Sequence, residues 1–428
     1  MKKVLLAASL FALGVAGCSQ SDEQSNQQPD RAPVDAVIDD IIARGVYPFL
    51  YARVEKLDGT LVYEHSAKNK DFAKTAPTGD SWLRLWSMSK SVTIPTILDL
   101  EEDNILSRKD PITKYIPEFS NLMVLAKEAT SETCDVGLKV PKRPITIEDL
   151  LNHTDGFYYA LTDNPCLDEA ITEARIPEAT SSQDLINRIA TLPLHPDGVG
   201  ERVYGIGTTI LALVAERATG MSFDEVVASR ITRPLGISKT LRYTLPEGVE
   251  MYPRVSGADD GKLRLAREGE LDIFGGPVPE YGPDTKIYLG GEGMVGTTKA
   301  FATFLRMMGN GGELNGVRIL KEETVRDWAT PRTQLDSYSG ANGFNIWVSS
   351  GKTRGLPNQK PGLLTGGGYE RTVFWIDQEA GYVGLVMTQV FSAKSTVDEM
   401  ARIRGLIYQH YLEPGVDHGG GWKKFLPF

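Results

Sequence analysis

Arg84-Leu85-Trp86-Ser87-Met88-Ser89-Lys90-Ser91-Val92-Thr93 is the stretch on which the reading of this chain turns. It holds a Ser-x-x-Lys pair, Ser87 and Lys90, where a helix is predicted to begin. Residues three apart share a helix face, so Lys90 stands one turn above Ser87 with its amine near the hydroxyl. The free N–H groups and positive dipole end of a first helical turn favour negative charge developing on that oxygen. A buried lysine held neutral can take the serine proton, which a weakly nucleophilic hydroxyl requires. Downstream, Met88, Val92, Ile94, Ile97 and Leu98 place apolar groups nearly all round, the pattern of a buried helix. Pro95 is expected to kink it. Ser-x-x-Lys strings also arise by chance, and Ser349-Ser350-Gly351-Lys352 is a second one, in a Gly/polar loop. What raises Ser87 is its context.

Upstream, Met1-Lys2-Lys3 and the apolar run Val4 to Val15 read as a secretory signal, too short to span a membrane. Its ending, Val15-Ala16-Gly17-Cys18, resembles a bacterial lipobox, which implies a lipid on Cys18; an ordinary signal with an incidental cysteine is the alternative. Ser19 after that cysteine resembles the pattern for sorting to the outer membrane. The expected address is therefore exported, anchored by lipid to the outer or inner membrane, facing the periplasm or the cell surface. The polar residues from Ser19 to Asp30 form a flexible tether. The chain carries 41% hydrophobic and 24% charged residues and a formal net charge of −10, with no basic cluster. That balance suits a globule with a large core and argues against nucleic acid as a partner. Cys134 and Cys166 lie in loop-like stretches; an exported setting permits a disulfide, and two free thiols are the other reading. The five histidines are scattered, and no Cys/His spacing suggests a metal site.

Along the chain, Asp35 to Arg44 reads as helix, and Phe49 to Lys56 with Thr60 to His65 as a hairpin turning at Asp58-Gly59. Helices are expected from Thr146, with a carboxylate three residues on, from about Thr208 to Gly220, and from Ser222 with a capping box. Thr298 to Met308 is a further helix, ended by Gly309 to Gly312. Thr372 to Ile376 and Tyr382 to Gln389 form a second hairpin. Val397, Met400, Ile403 and Ile407 repeat at helical spacing. The order implies an α+β fold: an antiparallel sheet completed by both chain ends, helices on its faces, and an inserted helical part. The expected boundaries are signal 1–17, tether 18–33, one catalytic domain 34–415 and a tail 416–428. Within the domain, 34–109 with 286–415 form the α/β lobe and 110–285 the helical lobe.

These landmarks, in this order, resemble the serine β-lactamase and penicillin-binding protein superfamily, nearest its class C-like esterase branch. The matching stretches are Arg84 to Thr93, Asp110 to Phe119, Ile145 to Gly156, Tyr204, Pro234-Leu235-Gly236, Gly290 to Thr298 and Phe374 to Asp377. The resemblance implies Ser87 as the acylated nucleophile, with Lys90 and Tyr204 as a proton-shuttling pair. It implies an oxyanion hole from the backbone N–H groups of Ser87 and Tyr369. His153 and Asp155 match residues that shape the fold. The chain also departs from the pattern. Ile206 stands where β-lactamases and peptidases have an amide-bearing Asn, and Gly366-Gly367-Gly368 replaces their cationic third motif. Contacts for a penicillin or D-alanyl terminus are lost at these four substrate-binding positions, while the acyl-transfer groups remain. Gly366 is expected to leave room for an acyl chain. The implied activity is hydrolysis of carboxylic esters, or amides, through an acyl-enzyme, with no cofactor and a small-molecule substrate. A peptidase or β-lactamase using Arg371 as substitute cation, and a silent binding lipoprotein, are the rival readings.

Overall fold

Two hairpins more than 300 residues apart in the chain share one sheet. β1 (Phe49–Lys56) and β2 (Leu61–Lys68) meet at Asp58-Gly59, where Gly59 has φ +92° and the Thr60 N–H donates to Asp58 Oδ1 at 2.8 Å. Six later strands complete the sheet: β3 (Thr333–Asp336), β4 (Gly340–Asn342), β5 (Trp347–Ser350), β6 (Pro361–Gly368), β7 (Thr372–Asp377) and β8 (Tyr382–Met387). Their spatial order is β3-β4-β5-β6-β7-β8-β1-β2, every pair antiparallel, so β8 joins the start of the chain to its end, with Tyr51 opposite Met387. This computed structural model describes residues 32–414 except 131–132, 258–260, 268, 271–272, 277–278, 280, 337–339, 351–360 and 392–396. The expected signal, Cys18, Gly351-Lys352 of the second Ser-x-x-Lys string and the tail 416–428 lie outside the described residues.

The α-helices among the described residues are α1 (Ala32–Ala43), α2 (Lys90–Glu102), α3 (Ile147–Asn152), α4 (Pro165–Ala174), α5 (Ser182–Ile189), α6 (Gly207–Thr219), α7 (Phe223–Val227), α8 (Thr298–Gly309), α9 (Glu322–Ala329) and α10 (Val397–Ile407). Alternation along β1 sorts its side chains. Leu50, Ala52 and Val54 join Val34, Ile38 and Ile41 of α1 and Ile403 and Ile407 of α10 on one face. Phe49 and Tyr51 point to the other face, where Phe301, Phe304, Leu305 and Met308 of α8 pack with Phe374, Ile376 and Leu385. Burial of each large apolar side chain contributes about 1.5–3 kcal/mol. α2 lies inside the molecule with Val92, Ile94, Ile97, Leu98 and Leu100 all buried, and it runs on through Pro95.

Four local expectations are corrected. The stretch before Ser87, read as polar, contains a short strand, Trp82–Arg84, paired with Val295–Thr297. β3 to β5 were not anticipated, because segments such as Thr333-Gln334-Leu335-Asp336 and Gly340-Ala341-Asn342 lack apolar alternation; their order comes from pairing outward from β6. Helix α2 begins at Lys90, and Ser87 lies in the 3₁₀ turn Trp86–Ser89 that precedes it. Ser222 does not cap α7 with its side chain; at the helix start the Phe223 N–H donates instead to the Glu216 carboxylate at 2.8 Å. The Thr146 box does form, with Thr146 and Asp149 each accepting the other's backbone N–H.

Cys134 and Cys166 are bonded, with Cα atoms 5.7 Å apart and 32 residues between them in sequence number, tying a loop to the first turn of α4. Closing a loop of that length restricts the unfolded chain. Replacing both by serine should lower stability by about 2–4 kcal/mol, read as a reduced denaturation midpoint that no longer responds to reductant.

Candidate active site

Ser87 stands at the mouth of the buried helix. The residue before it, Trp86, has φ +47°, a conformation that costs a non-glycine residue roughly 1–3 kcal/mol unless its surroundings impose it. Here they do. Trp86 Nε1–H donates to Glu370 Oε2 at 2.8 Å, Gln389 Nε2 donates to the same oxygen at 2.8 Å, and Arg84 lies 3.7 Å from it. Glu370 is fully buried and follows Tyr369, whose ring meets Trp86 edge-on with centroids 5.3 Å apart. Leu85 is held from the other side by its N–H to the Met294 carbonyl, and Ser89 Oγ accepts the Met294 N–H. The Ser87 turn is thus clamped between the β6–β7 turn and the Gly290 to Met294 segment.

The tight 3₁₀ geometry brings residues i and i+3 nearly into eclipse, so Lys90 Nζ sits 3.2 Å from Ser87 Oγ. Lys90 is fully buried, whereas Ser87 is partly exposed. The amine also donates to the Tyr159 hydroxyl at 2.8 Å and the Gly291 carbonyl at 3.0 Å, and lies 3.3 Å from Glu292 Oε1. On the outer side, the Tyr204 hydroxyl donates to Ser87 Oγ at 2.8 Å. Its placement follows from local chemistry: Val203 N–H bonds to the His153 carbonyl at 2.8 Å, and Gly205 lies against Phe157, where a Cβ would come within 2.1 Å of the carbonyl oxygen. α6 then starts two residues later. The Tyr204 ring lies 5.0 Å from Lys90 Nζ and 5.9 Å from the Arg202 guanidinium, on the cation-attracting side of its quadrupole. Tyr159 and Tyr204 help line a cleft of about 610 Å³ with Tyr158, Leu161, His195 and Val203.

The sequence-predicted residues separate into those brought together and those not. Ser87, Lys90 and Tyr204 converge. Tyr369 neighbours them because Gly368 packs on the Ser87 turn, where a Cβ would meet the Leu85 carbonyl at 2.5 Å. Two expectations are corrected. Ile206 is fully buried in the core and offers no surface to a substrate, because the backbone turns it inward at the start of α6. Gly366 leaves no room for an acyl chain on its Cβ side, since the ring of Phe374, its cross-strand partner, already lies 2.5 Å from where a Cβ would be. Gly366, Gly367 and Gly368 remain half-buried along β6, and the β5–β6 pairing stops at Trp347 opposite Thr365. Arg371 sits in the β6–β7 turn with φ +66°.

His153 is buried, in a left-handed conformation that ends α3, with Nε2 3.0 Å from Asn345 Oδ1. Burial, and then the charges of Arg202 and Lys90, hold its imidazole well below the usual range, so it is neutral and its role is structural. Asp155 is also buried. Phe157 N–H donates to its Oδ1 at 2.7 Å, and its other oxygen occupies the space a Cβ on Gly207 would need, 2.5 Å from that position. Burial nevertheless pushes its carboxyl well above the ordinary range. A raised folded value means that stability from this group is complete below the ordinary carboxyl range and is lost as pH rises through the folded value. Asp155→Asn should therefore melt progressively higher than wild type as pH increases from 5 to 8, in paired thermal scans.

Sequence reasoning missed Tyr159, Thr209, Glu292 and Glu370. Glu292 was open to detection: a charged residue inside Gly290-Gly291-Glu292-Gly293, a run that must pack closely, is an anomaly of the kind that marks a site.

Comparison with known proteins gives the family of the chain. The family model described as Beta-lactamase matches residues 35–409. Protein Rv1367c of Mycobacterium tuberculosis is 28% identical over 298 residues, covering 67% of this chain and 71% of that protein. Lovastatin esterase of Penicillium rubens is 28% identical over 246 residues, 55% of this chain and 57% of its own length. Among solved structures, EstCE1, a hydrolase with promiscuous acyltransferase activity, superposes with a TM-score of 0.71 at 18% identity, covering 88% of this chain and 97% of that one. With nearly the whole described chain inside the match, this protein belongs to the beta-lactamase family.

Proposed function

We propose that the protein is a serine hydrolase that cleaves carboxylic esters, and amides where the leaving group permits, through an acyl-enzyme on Ser87. The observation that carries the reading is one partly exposed hydroxyl, Ser87 Oγ, within hydrogen-bond reach of two proton-handling groups, Tyr204 at 2.8 Å and Lys90 at 3.2 Å. In acylation, Ser87 Oγ bonds to the carbonyl carbon and its proton passes through the Lys90/Tyr204 pair to the departing alkoxide. In deacylation, a water oxygen bonds to the acyl carbon, the bond from that carbon to Ser87 Oγ breaks, the carboxylic acid leaves, and the water's proton returns Ser87 to the hydroxyl form. The backbone N–H groups of Ser87 and Tyr369 are the proposed oxyanion hole; the packing of Gly368 on the nucleophile turn supports that assignment. The relatives named as an esterase and a hydrolase with acyltransferase activity support the reaction class. The cleft wall sets tyrosines, Leu161 and Val203 beside Lys127, Asp163 and Asp197, which favours a substrate with both apolar and polar groups.

The test is incubation of the soluble domain with a fluorophosphonate and, separately, p-nitrophenyl butyrate. Labelling at Ser87 with ester turnover supports the proposal. Labelling with faster turnover of a chromogenic cephalosporin or a D-amino-acid peptide moves the reading to those substrates, and absence of labelling removes the nucleophile. The N-terminal pattern supports a second, separate proposal, export with lipid on Cys18. It predicts incorporation of labelled palmitate that Cys18→Ser abolishes.

A further inference from the structure

Glu370 is buried one residue beyond Tyr369, and its side chain reaches across the fold to the residue before Ser87. Its Oε2 accepts the Trp86 Nε1–H at 2.8 Å and an N–H of the Gln389 amide at 2.8 Å. That amide is tied to the same segment at its other end. It donates to the Arg84 carbonyl at 3.3 Å, and its oxygen accepts from the Arg84 guanidinium at 3.2 Å. The Glu370 backbone is held as well, because its carbonyl accepts the Val390 N–H at 3.2 Å. The Tyr369 ring stands edge-on to Trp86 and lies against Phe391, with centroids 5.3 Å apart in each case. One carboxylate therefore joins the residue that follows one proposed oxyanion donor to the residue that precedes the other.

We propose that Glu370 is a positioning residue for the oxyanion hole, a strut that fixes the Ser87 and Tyr369 N–H groups relative to each other. The inference rests on that proposed hole. Glu370 acts through Trp86 and, being fully buried, meets no substrate. The reason for a strut lies in the residue type at position 86. Glycine would adopt φ +47° freely, whereas tryptophan holds it only under constraint. Released from its Nε1 bond, Trp86 relaxes towards negative φ, and that rotation swings the next peptide group, which carries the Ser87 N–H. Oxyanion donors act at about 3 Å from the oxygen on which charge develops, so a small swing weakens the transition state more than the bound substrate. The strut works as a hydrogen-bond acceptor. An amide oxygen of the same reach can replace it, with no charge required.

The experiment compares wild type with Trp86→Phe, Glu370→Leu, the double variant and Glu370→Gln. Turnover of p-nitrophenyl butyrate is measured well below the thermal midpoint of each protein. Trp86→Phe keeps an aromatic ring and deletes the Nε1–H; Glu370→Leu deletes its acceptor. Acylation and deacylation both pass through an oxyanion. Each single change should therefore lower kcat about 10–10²-fold, with KM within about threefold of wild type. The double variant should lose no more than Glu370→Leu alone, because both changes cut one bond. Glu370→Gln should stay within about threefold of wild type. Affinity for a trifluoromethyl ketone, whose serine adduct carries an oxyanion, should fall in step with kcat. Losses that add in the double variant, a Gln variant as slow as the Leu variant, or unchanged ketone affinity overturn the strut. If Glu370→Leu does not fold, Trp86→Phe and Glu370→Gln decide the matter, and a Trp86→Phe protein with wild-type kcat overturns it alone. An active wild type with unaffected variants removes only the strut. A wild type that neither labels with a fluorophosphonate nor turns over esters removes the hydrolase reading and the strut with it.

Discussion

Ser87→Ala should abolish fluorophosphonate labelling and reduce kcat/KM for p-nitrophenyl butyrate at least roughly 10³-fold, with the fold intact. The alanine methyl cannot form the acyl bond, and the groups gathered round it then have no proton to relay. Deleting the hydroxyl removes two hydrogen bonds, from Tyr204 and from Lys90, both at the partly exposed mouth of the cleft. The stability cost is therefore about 1 kcal/mol or less, and a thermal scan should show a midpoint near that of wild type. Lys90 retains Tyr159, the Gly291 carbonyl and Glu292 as partners, so its buried amine stays hydrogen-bonded. Ester turnover within tenfold of wild type in this variant would mean that the chemistry happens elsewhere.

Tyr204→Phe should lower kcat/KM by about 10²–10⁴-fold, the usual worth of a positioned general acid–base group. The phenylalanine ring preserves the packing beside His153 and Tyr159 and the faces presented to Lys90 and Arg202, so the loss isolates one oxygen. That oxygen stands 2.8 Å from Ser87 Oγ on a side chain 40% exposed, and removing it should change stability by no more than about 0.5 kcal/mol. Fluorophosphonate labelling of Ser87 should slow in proportion to ester turnover, because both need the serine proton removed. Equal labelling rates in the two proteins would place Tyr204 outside the acylation step.

How much of this was legible beforehand depended on the range of the interaction concerned. β1 was read to the residue, the Thr146 cap was read correctly, and α6 with its Gly220 stop was read to within a residue, since each is written in a few adjacent side chains. β3 to β5 escaped notice because their strand character is imposed by a neighbour and not by their own composition. Ser222 shows the same limit from the other side: a capping pattern was present, yet its side chain makes no cap bond, and Glu216, seven residues before Phe223, satisfies the Phe223 N–H instead.

Within the site, the sequence by itself determined the Ser87–Lys90 pair. Three residues of spacing in a helical or 3₁₀ turn place those two side chains together whatever surrounds them. It also determined that the helix behind them is buried and that the two chain ends supply one sheet. Only the tertiary structure decided which other side chains meet Ser87 and Lys90. Tyr204 arrives across 117 residues, Tyr159 reaches Lys90 across 69, Glu292 across 202, and Glu370 grips Trp86 across 284. No local pattern encodes such contacts. They exist because the sheet, the buried helix and the Gly290 to Met294 segment pack at fixed separations, and that packing gives each buried charge a partner it could not otherwise survive without.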